Sequence, residues 1–218
     1  MEKFTRIEAT ACPLPAENID TDQILPARYL KLPRKGEHGK VLFHDLRFDA
    51  AGRERPDFPL NGPRWRNAGI IVSGRNFGGG SSREAAVYAL YDYGVRCVIA
   101  SSFGDIFSQN ATKNGLLTAV VNEAESGALV AAVTREPTLM VTVDLEAQSI
   151  LCGELRCQFT IDPARRTRLL NGWDDLDVTN SFREQIAAFK AADREIRPWA
   201  VPSQAPWSGI SAHADAGH

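Results

Sequence analysis

The chain has 218 residues, 44% of them hydrophobic, and a formal net charge of −2 at pH 7. This length supports one sizeable core, and the near-neutral charge excludes the basic footprint of a nucleic-acid-binding protein. The sequence has neither an apolar run of about 18 residues nor an apolar signal segment, so we expect a cytoplasmic protein that does not enter membranes.

The first 66 residues predict a strand, a polar turn and a long loop. Residues 4–15 look like a strand ending in a proline-rich turn, and the motif NIDTDQILPARYL follows at 18–30. Its Asp and Thr side chains suit a cap or a turn, and Arg28 is long enough to reach a carboxylate. Residues 31–66 are rich in proline, glycine and charge, and predict a loop with a short helical piece at 41–48. A long loop beside a site is often a lid.

Residues 69–94 predict a buried strand, a glycine loop and a helix in immediate succession. Residues 70–72 are a β-branched run typical of a strand that is buried on both faces. Three glycines at 78–80 then let backbone N–H groups come close to a bound group. A helical pattern begins at Ser81, and Arg83 adds a positive charge to the N-terminal end of the helix dipole. We therefore predict an anion site.

The glycine loop differs from familiar phosphate-binding and nucleophile motifs. It has no Lys-Ser/Thr pair for a P-loop, and Arg83 stands where a dinucleotide fingerprint needs its last glycine. Ser81 lacks the following glycine of a hydrolase elbow, and only His38 and His44 lie outside the C-terminal tail to activate it. The sequence SSRE at 81–84 is equally consistent with a capping box that merely begins the helix. Three successive glycines exceed what a cap requires and favour a functional site.

The rest of the chain predicts an α/β fold with a mixed, partly parallel sheet flanked by helices. Strand patterns at 95–100 and 116–121 enclose a helical pattern at 105–113, and this alternation favours parallel pairing. Ligands bind such sheets at the carboxyl ends of the strands, where the glycine loop would lie. Further predicted elements are antiparallel strands at 139–145 and 150–160, and helices at 162–170 and 182–194. We expect one domain over residues 1–198 and an unstructured tail at 199–218.

The four cysteines do not form a metal-ligand pattern. They are Cys12, Cys97, Cys152 and Cys157, with no C-x-x-C pair and no histidine nearby. We therefore expect no metal bound by this chain alone. Cys97 lies in an apolar strand pattern, which predicts a core position.

Three motifs, in this order and spacing, resemble the family of 3-isopropylmalate dehydratase small subunits. They are NIDTDQILPAR at 18–28, NFGGGSSRE at 76–84, and YG at 93–94 followed by ASSFGDIF at 100–107. The likeness runs from about residue 4 to residue 195 and includes VDLEAQ at 143–148. The G-x-G-S-S-R-E signature also occurs in the swivelling domain of aconitases, which places the resemblance within that superfamily.

The resemblance implies a β/β/α swivelling domain that docks on a separate large subunit carrying a [4Fe-4S] cluster. In the family, the serine matching Ser81 takes a proton from the carbon next to a carboxylate, while the cluster accepts the departing hydroxyl. The arginine matching Arg83 binds a carboxylate of the substrate, a small dicarboxylate hydroxy acid. Further candidates for substrate binding are Ser82, Gly80, Arg28 and Leu30, the last in the segment that meets the substrate's variable side chain.

The expected reaction is the isomerisation of 2-isopropylmalate and 3-isopropylmalate in leucine biosynthesis, through dehydration and rehydration. Two positions depart from the family pattern: Ala85 stands where histidine is common, and Gly79 where many members have cysteine. A paralogous dehydratase for 2-methylmalate, dimethylmalate or homoaconitate is therefore an alternative. The alternative from another class is a non-catalytic binding or assembly module in which Ser81 is only a cap.

Overall fold

The computed structural model describes residues 1–34 and 36–200. They divide into two compact units, residues 1–175 and a unit that begins at residue 176. The predicted single domain over 1–198 stays a prediction. Of the predicted tail, residues 199 and 200 belong to a short 3-10 helix, Pro198–Ala200, and the remainder lies outside the described residues.

Within the described residues, seven strands form one mixed sheet. In chain order they are β1 (Arg6–Leu14), β2 (Ile70–Ser73), β3 (Cys97–Ala100), β4 (Leu117–Val120), β5 (Met140–Asp144), β6 (Ser149–Cys152) and β7 (Leu155–Gln158). Their spatial order is β4-β3-β2-β1-β5-β6-β7. Strands β1 to β4 pair in parallel, and β5 to β7 continue the sheet with antiparallel pairing. The predicted α/β class with a mixed, partly parallel sheet is confirmed.

Strand β1 joins the two halves of the sheet. Its residues 6–10 pair with β5 and its residues 11–14 pair with β2. All residues of β2 and β3 are buried, and their side chains alternate between two hydrophobic clusters, one on each face. Ile71 and Val98 face one cluster, whereas Ile70, Cys97 and Ile99 face the other. This explains why these strands are apolar throughout rather than alternating with polar residues.

Helices cover both faces of the parallel half. The first unit contains α1 (Thr21–Ile24), α2 (Glu37–Lys40), α3 (His44–Arg47), α4 (Glu84–Tyr93), α5 (Asp105–Lys113), α6 (Glu123–Arg135) and α7 (Pro163–Asn171). Val87 of α4 and Phe107 of α5 pack in one cluster, and Leu129 of α6 and Leu169 of α7 pack in the other. Helix α6 is not among the predicted elements, although Asn122 and Glu125 form a capping box at its start.

The predicted loop at 31–66 is folded over its described residues, 31–34 and 36–66. Leu42, Phe43 and Leu60 are fully buried within it. The Nε of Arg47 donates to Asn61 Oδ1 at 2.9 Å, and Asn61 Nδ2 donates to the Arg47 carbonyl at 2.6 Å. The predicted helical piece is present as α3.

The described residues of the second unit, up to residue 200, form helical segments. Helix α8 (Asp175–Ser181) ends in it, and α9 (Arg183–Ile196) and the 3-10 helix follow. The side chains of Phe189, Ile196 and Trp199 are between 66% and 78% exposed. No helix among residues 1–34 and 36–200 has the length and hydrophobicity needed to cross a membrane.

Candidate active site

Three loops meet at the carboxyl ends of β1, β2 and β3. The Gly78 N–H donates to the Ile19 carbonyl at 2.7 Å, and the Thr21 N–H donates to the Gly79 carbonyl at 3.0 Å. On the other side, the Gly104 N–H donates to the Phe77 carbonyl at 2.9 Å. Backbone bonds therefore extend the parallel pairing beyond the strands and hold the glycine loop between its two neighbours. This is the edge of a parallel sheet at which ligands bind.

Gly78 is required by close packing under the loop. It has φ +73°, and a Cβ atom at this position would lie 2.2 Å from Cγ of Phe107. The Phe107 ring is 5.5 Å from the Phe77 ring, centroid to centroid, and stacks on Phe103 at 6.4 Å. The floor of the loop is thus a packed aromatic cluster that admits no side chain at residue 78.

Two asparagines with left-handed backbone conformation flank the same loop. Asn18 and Asn76 both have φ 56°, a conformation that asparagine tolerates better than most residues. Asn76 Nδ2 donates to Asn18 Oδ1 at 2.9 Å, and the Asn76 N–H donates to Ser102 Oγ at 2.8 Å. Strained conformations held by several bonds are characteristic of functional sites.

Ser81 is fixed by its backbone, with its residue surface exposed to solvent. The Ser81 N–H donates to Thr21 Oγ1 at 3.2 Å, and the same hydroxyl donates to the Ser81 carbonyl at 3.3 Å. Thr21 is only 1% exposed, so its hydroxyl has a fixed position. Helix α4 begins at Glu84, with Arg83 as its N-cap residue and no side-chain cap. The capping-box interpretation of Ser81 is therefore wrong, because a threonine 60 residues away holds the serine outside the helix.

Arg83 lies beside Ser81 at the N-terminal end of α4, and its side chain is 22% exposed. Its Nη1 forms an ion pair with Asp22 Oδ1. Ser82 and Gly80 are exposed on either side of Ser81, and Gly80 has φ +93°. The structure thus brings four of the six predicted site residues together and adds Thr21 and Asp22 from the NIDTDQ motif. The sequence reading gave these two residues only a capping or turning role.

Arg28 and Leu30 lie on the segment that follows α1. Arg28 Nη1 donates to Asp45 Oδ2 at 3.0 Å, and Nη2 lies 3.1 Å from His44 Nδ1. This ion pair lowers the pKa of Asp45 to about 2. Leu30 is 40% exposed. No hydrogen bond or ion pair among the described residues joins either side chain to the glycine loop, so their roles in substrate binding stay predictions.

The cysteines do not fit a metal cluster. All four are free and buried, and Cys97 has the predicted core position. Burial raises the pKa of each thiol, which disfavours the thiolate form that metals bind. In the part of the chain that the structure describes, no group of three or more His, Cys, Asp or Glu side chains is placed to hold a metal.

Comparisons with known proteins agree with the fold and identify the family. The family model of the Aconitase C-terminal domain matches residues 1–124. The 3-isopropylmalate dehydratase small subunit of Rhodospirillum centenum is 50% identical over 203 residues, which are 92% of this chain and all of the relative. The one from Afipia carboxidovorans is 46% identical over 200 residues, 91% of this chain and all of the relative. The crystal structure of 3-isopropylmalate dehydratase from Methanocaldococcus jannaschii superposes with a TM-score of 0.60 at 27% identity, covering 85% of this chain and 99% of that one.

Proposed function

The chain belongs to the family of 3-isopropylmalate dehydratase small subunits, and we propose that it supplies one half of a hydro-lyase active site. The reaction is the interconversion of 2-isopropylmalate and 3-isopropylmalate through dehydration and rehydration, a step of leucine biosynthesis in the cytoplasm. The observation that carries the proposal is the pairing of an exposed, backbone-fixed Ser81 with Arg83 at the carboxyl edge of the sheet.

Ser81 is the proposed base. A serine hydroxyl is a poor base unless positive neighbours stabilise its alkoxide. Here the N-terminal end of α4 and the Arg83 guanidinium supply positive charge. The proton comes from the substrate carbon next to a carboxylate and rests on Ser81 Oγ. During rehydration it goes to the carbon that lost the hydroxyl, while water adds at the carbon that lost the proton.

Arg83 is the proposed anchor for a substrate carboxylate. A guanidinium binds a carboxylate through two parallel hydrogen bonds, which fixes orientation as well as charge. Asp22 now occupies one side of the guanidinium, so Arg83 is already oriented by a carboxylate. A substrate carboxylate would share or replace that contact.

The departing hydroxyl needs an electrophile, which we assign to the large subunit. The buried cysteines of this chain do not fit an iron-sulfur cluster. Among the described residues around Ser81, Arg83 is the one cation that takes part in the hydrogen bonds and ion pairs of the site. A partner that carries a [4Fe-4S] cluster would supply Lewis-acid chemistry. The name "small subunit" of the relatives agrees with such a partnership.

The test is an anaerobic assay of this chain, a candidate large subunit and their mixture, following absorbance of the isopropylmaleate intermediate. We expect activity only in the mixture. Ser81→Ala should lower kcat by at least about 100-fold, the usual contribution of a positioned base. An exposed serine outside the glycine loop gives the control, because Ser181→Ala should leave kcat nearly unchanged. Near wild-type activity of an assembled Ser81→Ala complex would instead favour the binding or assembly module.

Substrate choice needs a separate comparison, because Ala85 and Gly79 depart from the family pattern. The reconstituted complex should turn over 2-isopropylmalate faster than 2-methylmalate, dimethylmalate or homoaconitate. Rejection of isopropylmalate together with turnover of one of the others would assign the chain to a paralogous dehydratase.

A further inference from the structure

A polar stripe along α4 receives the segment that follows Leu30. Glu84, Tyr88 and Asp92 are spaced four residues apart, so they lie on one side of the helix. Arg83, the proposed carboxylate anchor, is the N-cap residue of α4. Contacts to the stripe therefore connect the segment to the same helix that holds the substrate.

Arg34 makes the central contacts. Its Nη2 donates to Asn114 Oδ1 at 2.7 Å, and its guanidinium carbon lies 3.7 Å from the centre of the Tyr88 ring. Asn114, at the end of α5 and only 8% exposed, donates from Nδ2 to Glu84 Oε1 at 2.8 Å. We call Arg34, Asn114, Glu84 and Tyr88 the Arg34 latch. It fastens an exposed arginine to two helices at once.

The segment is also fixed on both sides of the latch. Before it, Ile24 and Leu25 are fully buried, and turn bonds run from the Leu30 N–H to the Ala27 carbonyl at 3.2 Å and from the Leu32 N–H to the Tyr29 carbonyl at 3.1 Å. After it, α2 lies directly on α4. A Cβ atom at Gly39 would be 2.6 Å from the Asp92 carbonyl carbon. Residues 27–34 thus form a short bridge between two anchored ends.

We propose that Arg34 is a positioning residue for substrate selection, because the latch fixes the bridge that carries Leu30. This rests on the proposed function and on the expected contact of Leu30 with the isopropyl group. With the latch intact, the apolar side chain has a constant position relative to Arg83, so the site recognises the alkyl group and the carboxylate together. Without it, the bridge is held only by the elements at its two ends, and recognition of the alkyl group is lost before recognition of the carboxylate.

The test uses the complex reconstituted with its large subunit and compares two ligands. Arg34→Ala should raise KM for 2-isopropylmalate roughly tenfold, the loss expected for one charge-assisted contact, and leave the inhibition constant of 2-methylmalate within about twofold. Arg34→Lys should give a KM for 2-isopropylmalate between those of the wild type and Arg34→Ala, because lysine keeps the charge over Tyr88 but lacks the planar guanidinium. Arg64→Ala is the matched control, because Arg64 is an exposed arginine of the same 31–66 segment. Adding Asn114→Ala to Arg34→Ala should not weaken isopropylmalate binding further, since both residues act through one network.

A second measurement is independent of turnover. Hydrogen exchange of the Leu30 and Leu32 amides should accelerate in Arg34→Ala and not in Arg64→Ala. Unchanged exchange of the Leu30 and Leu32 amides in Arg34→Ala would overturn the role of Arg34 while the proposed function stands. An equal change in KM for 2-isopropylmalate and in the inhibition constant of 2-methylmalate would do the same. A wild-type complex that does not process isopropylmalate would overturn both.

Discussion

Gly78→Ala tests whether the glycine loop is fixed by packing from below. Two costs add at this position. A left-handed conformation costs an alanine about 1–2 kcal/mol. A Cβ atom 2.2 Å from Cγ and 2.6 Å from the two Cδ atoms of Phe107 also forces the aromatic cluster to shift, an overpacking cost of about 1–3 kcal/mol. We therefore expect the free energy of unfolding to fall by about 2–5 kcal/mol.

Gly79→Ala is the matched control, one residue along the same loop. Gly79 does not have positive φ, and its nearest neighbours are the side-chain atoms of Asn76, between 3.0 and 3.3 Å from the Cβ position. A side chain can move away at little cost, so we expect a loss below about 1 kcal/mol. The same argument explains how family members accept cysteine at this position.

The assay is urea denaturation of each variant, followed by circular dichroism, with the midpoint and slope fitted together. At about 2–4 °C per kcal/mol for a chain of this size, Gly78→Ala should also lower Tm by about 4–20 °C. If the free energies of unfolding of Gly78→Ala and Gly79→Ala lie within about 0.5 kcal/mol of each other, packing against Phe107 is not what requires glycine at residue 78.

Three further predictions concern single side chains. Arg83→Lys should raise KM of the reconstituted complex about tenfold with a smaller effect on kcat, because lysine lacks the bidentate fork; steady-state kinetics would show an unchanged KM if Arg83 binds no carboxylate. Asn61→Ala should destabilise the chain by about 3 kcal/mol in urea, because it removes the partner of buried Arg47 Nε and two bonds to backbone carbonyls; a loss below about 1 kcal/mol would contradict this. The pair with Arg28 lowers the pKa of Asp45 from 3.8 to about 2, so the small stabilisation from this exposed pair is present above about pH 4 and is lost as pH falls to about 2. Asp45→Asn should remove that part of the acid sensitivity, and equal slopes of stability against pH in both proteins would argue against it.

Local patterns predicted most of the regular structure. The helix predicted at 105–113 is α5 with the same bounds. Strand β3 begins two residues after the predicted start at 95 and ends at the predicted residue 100, and β5 is one residue shorter at each end than the predicted strand at 139–145. These elements have a strong apolar periodicity or clear terminating residues, and both features can be recognised from residues close in sequence. Helix α6 was not predicted because its alanines and glycine give only a weak apolar periodicity, although the sequence contains its capping box.

The geometry of the site was less accessible, because it depends on contacts between distant residues. The SSRE motif suggests a helix that begins at Ser81, yet Thr21 binds both backbone groups of that serine and delays the helix to Glu84. The Arg83–Asp22 ion pair likewise joins residues 61 positions apart. Local spacing does not identify Thr21 as the partner of Ser81 or Asp22 as the partner of Arg83, because several polar residues of the NIDTDQ motif could form such contacts equally well. The folded chain selects among them by bringing β1 and β2 side by side.

The magnitudes also support the proposed partnership with a large subunit. The dipole of α4 contributes at most about 2 kcal/mol to an anion at its N-terminal end, and Arg83 shares its charge with Asp22. Enzymes typically lower barriers by about 8 kcal/mol or more, so these groups alone do not make a dehydratase. What the chain provides is position: a packed aromatic floor, two bonded neighbouring loops and a threonine hold Ser81 and Arg83 at fixed places before any partner arrives. Preorganised polar groups lose little free energy to rearrangement during reaction, and they are most effective where water is excluded. The large subunit would therefore complete the site in two ways, by adding the electrophile and by covering an edge that is open to solvent in the isolated chain.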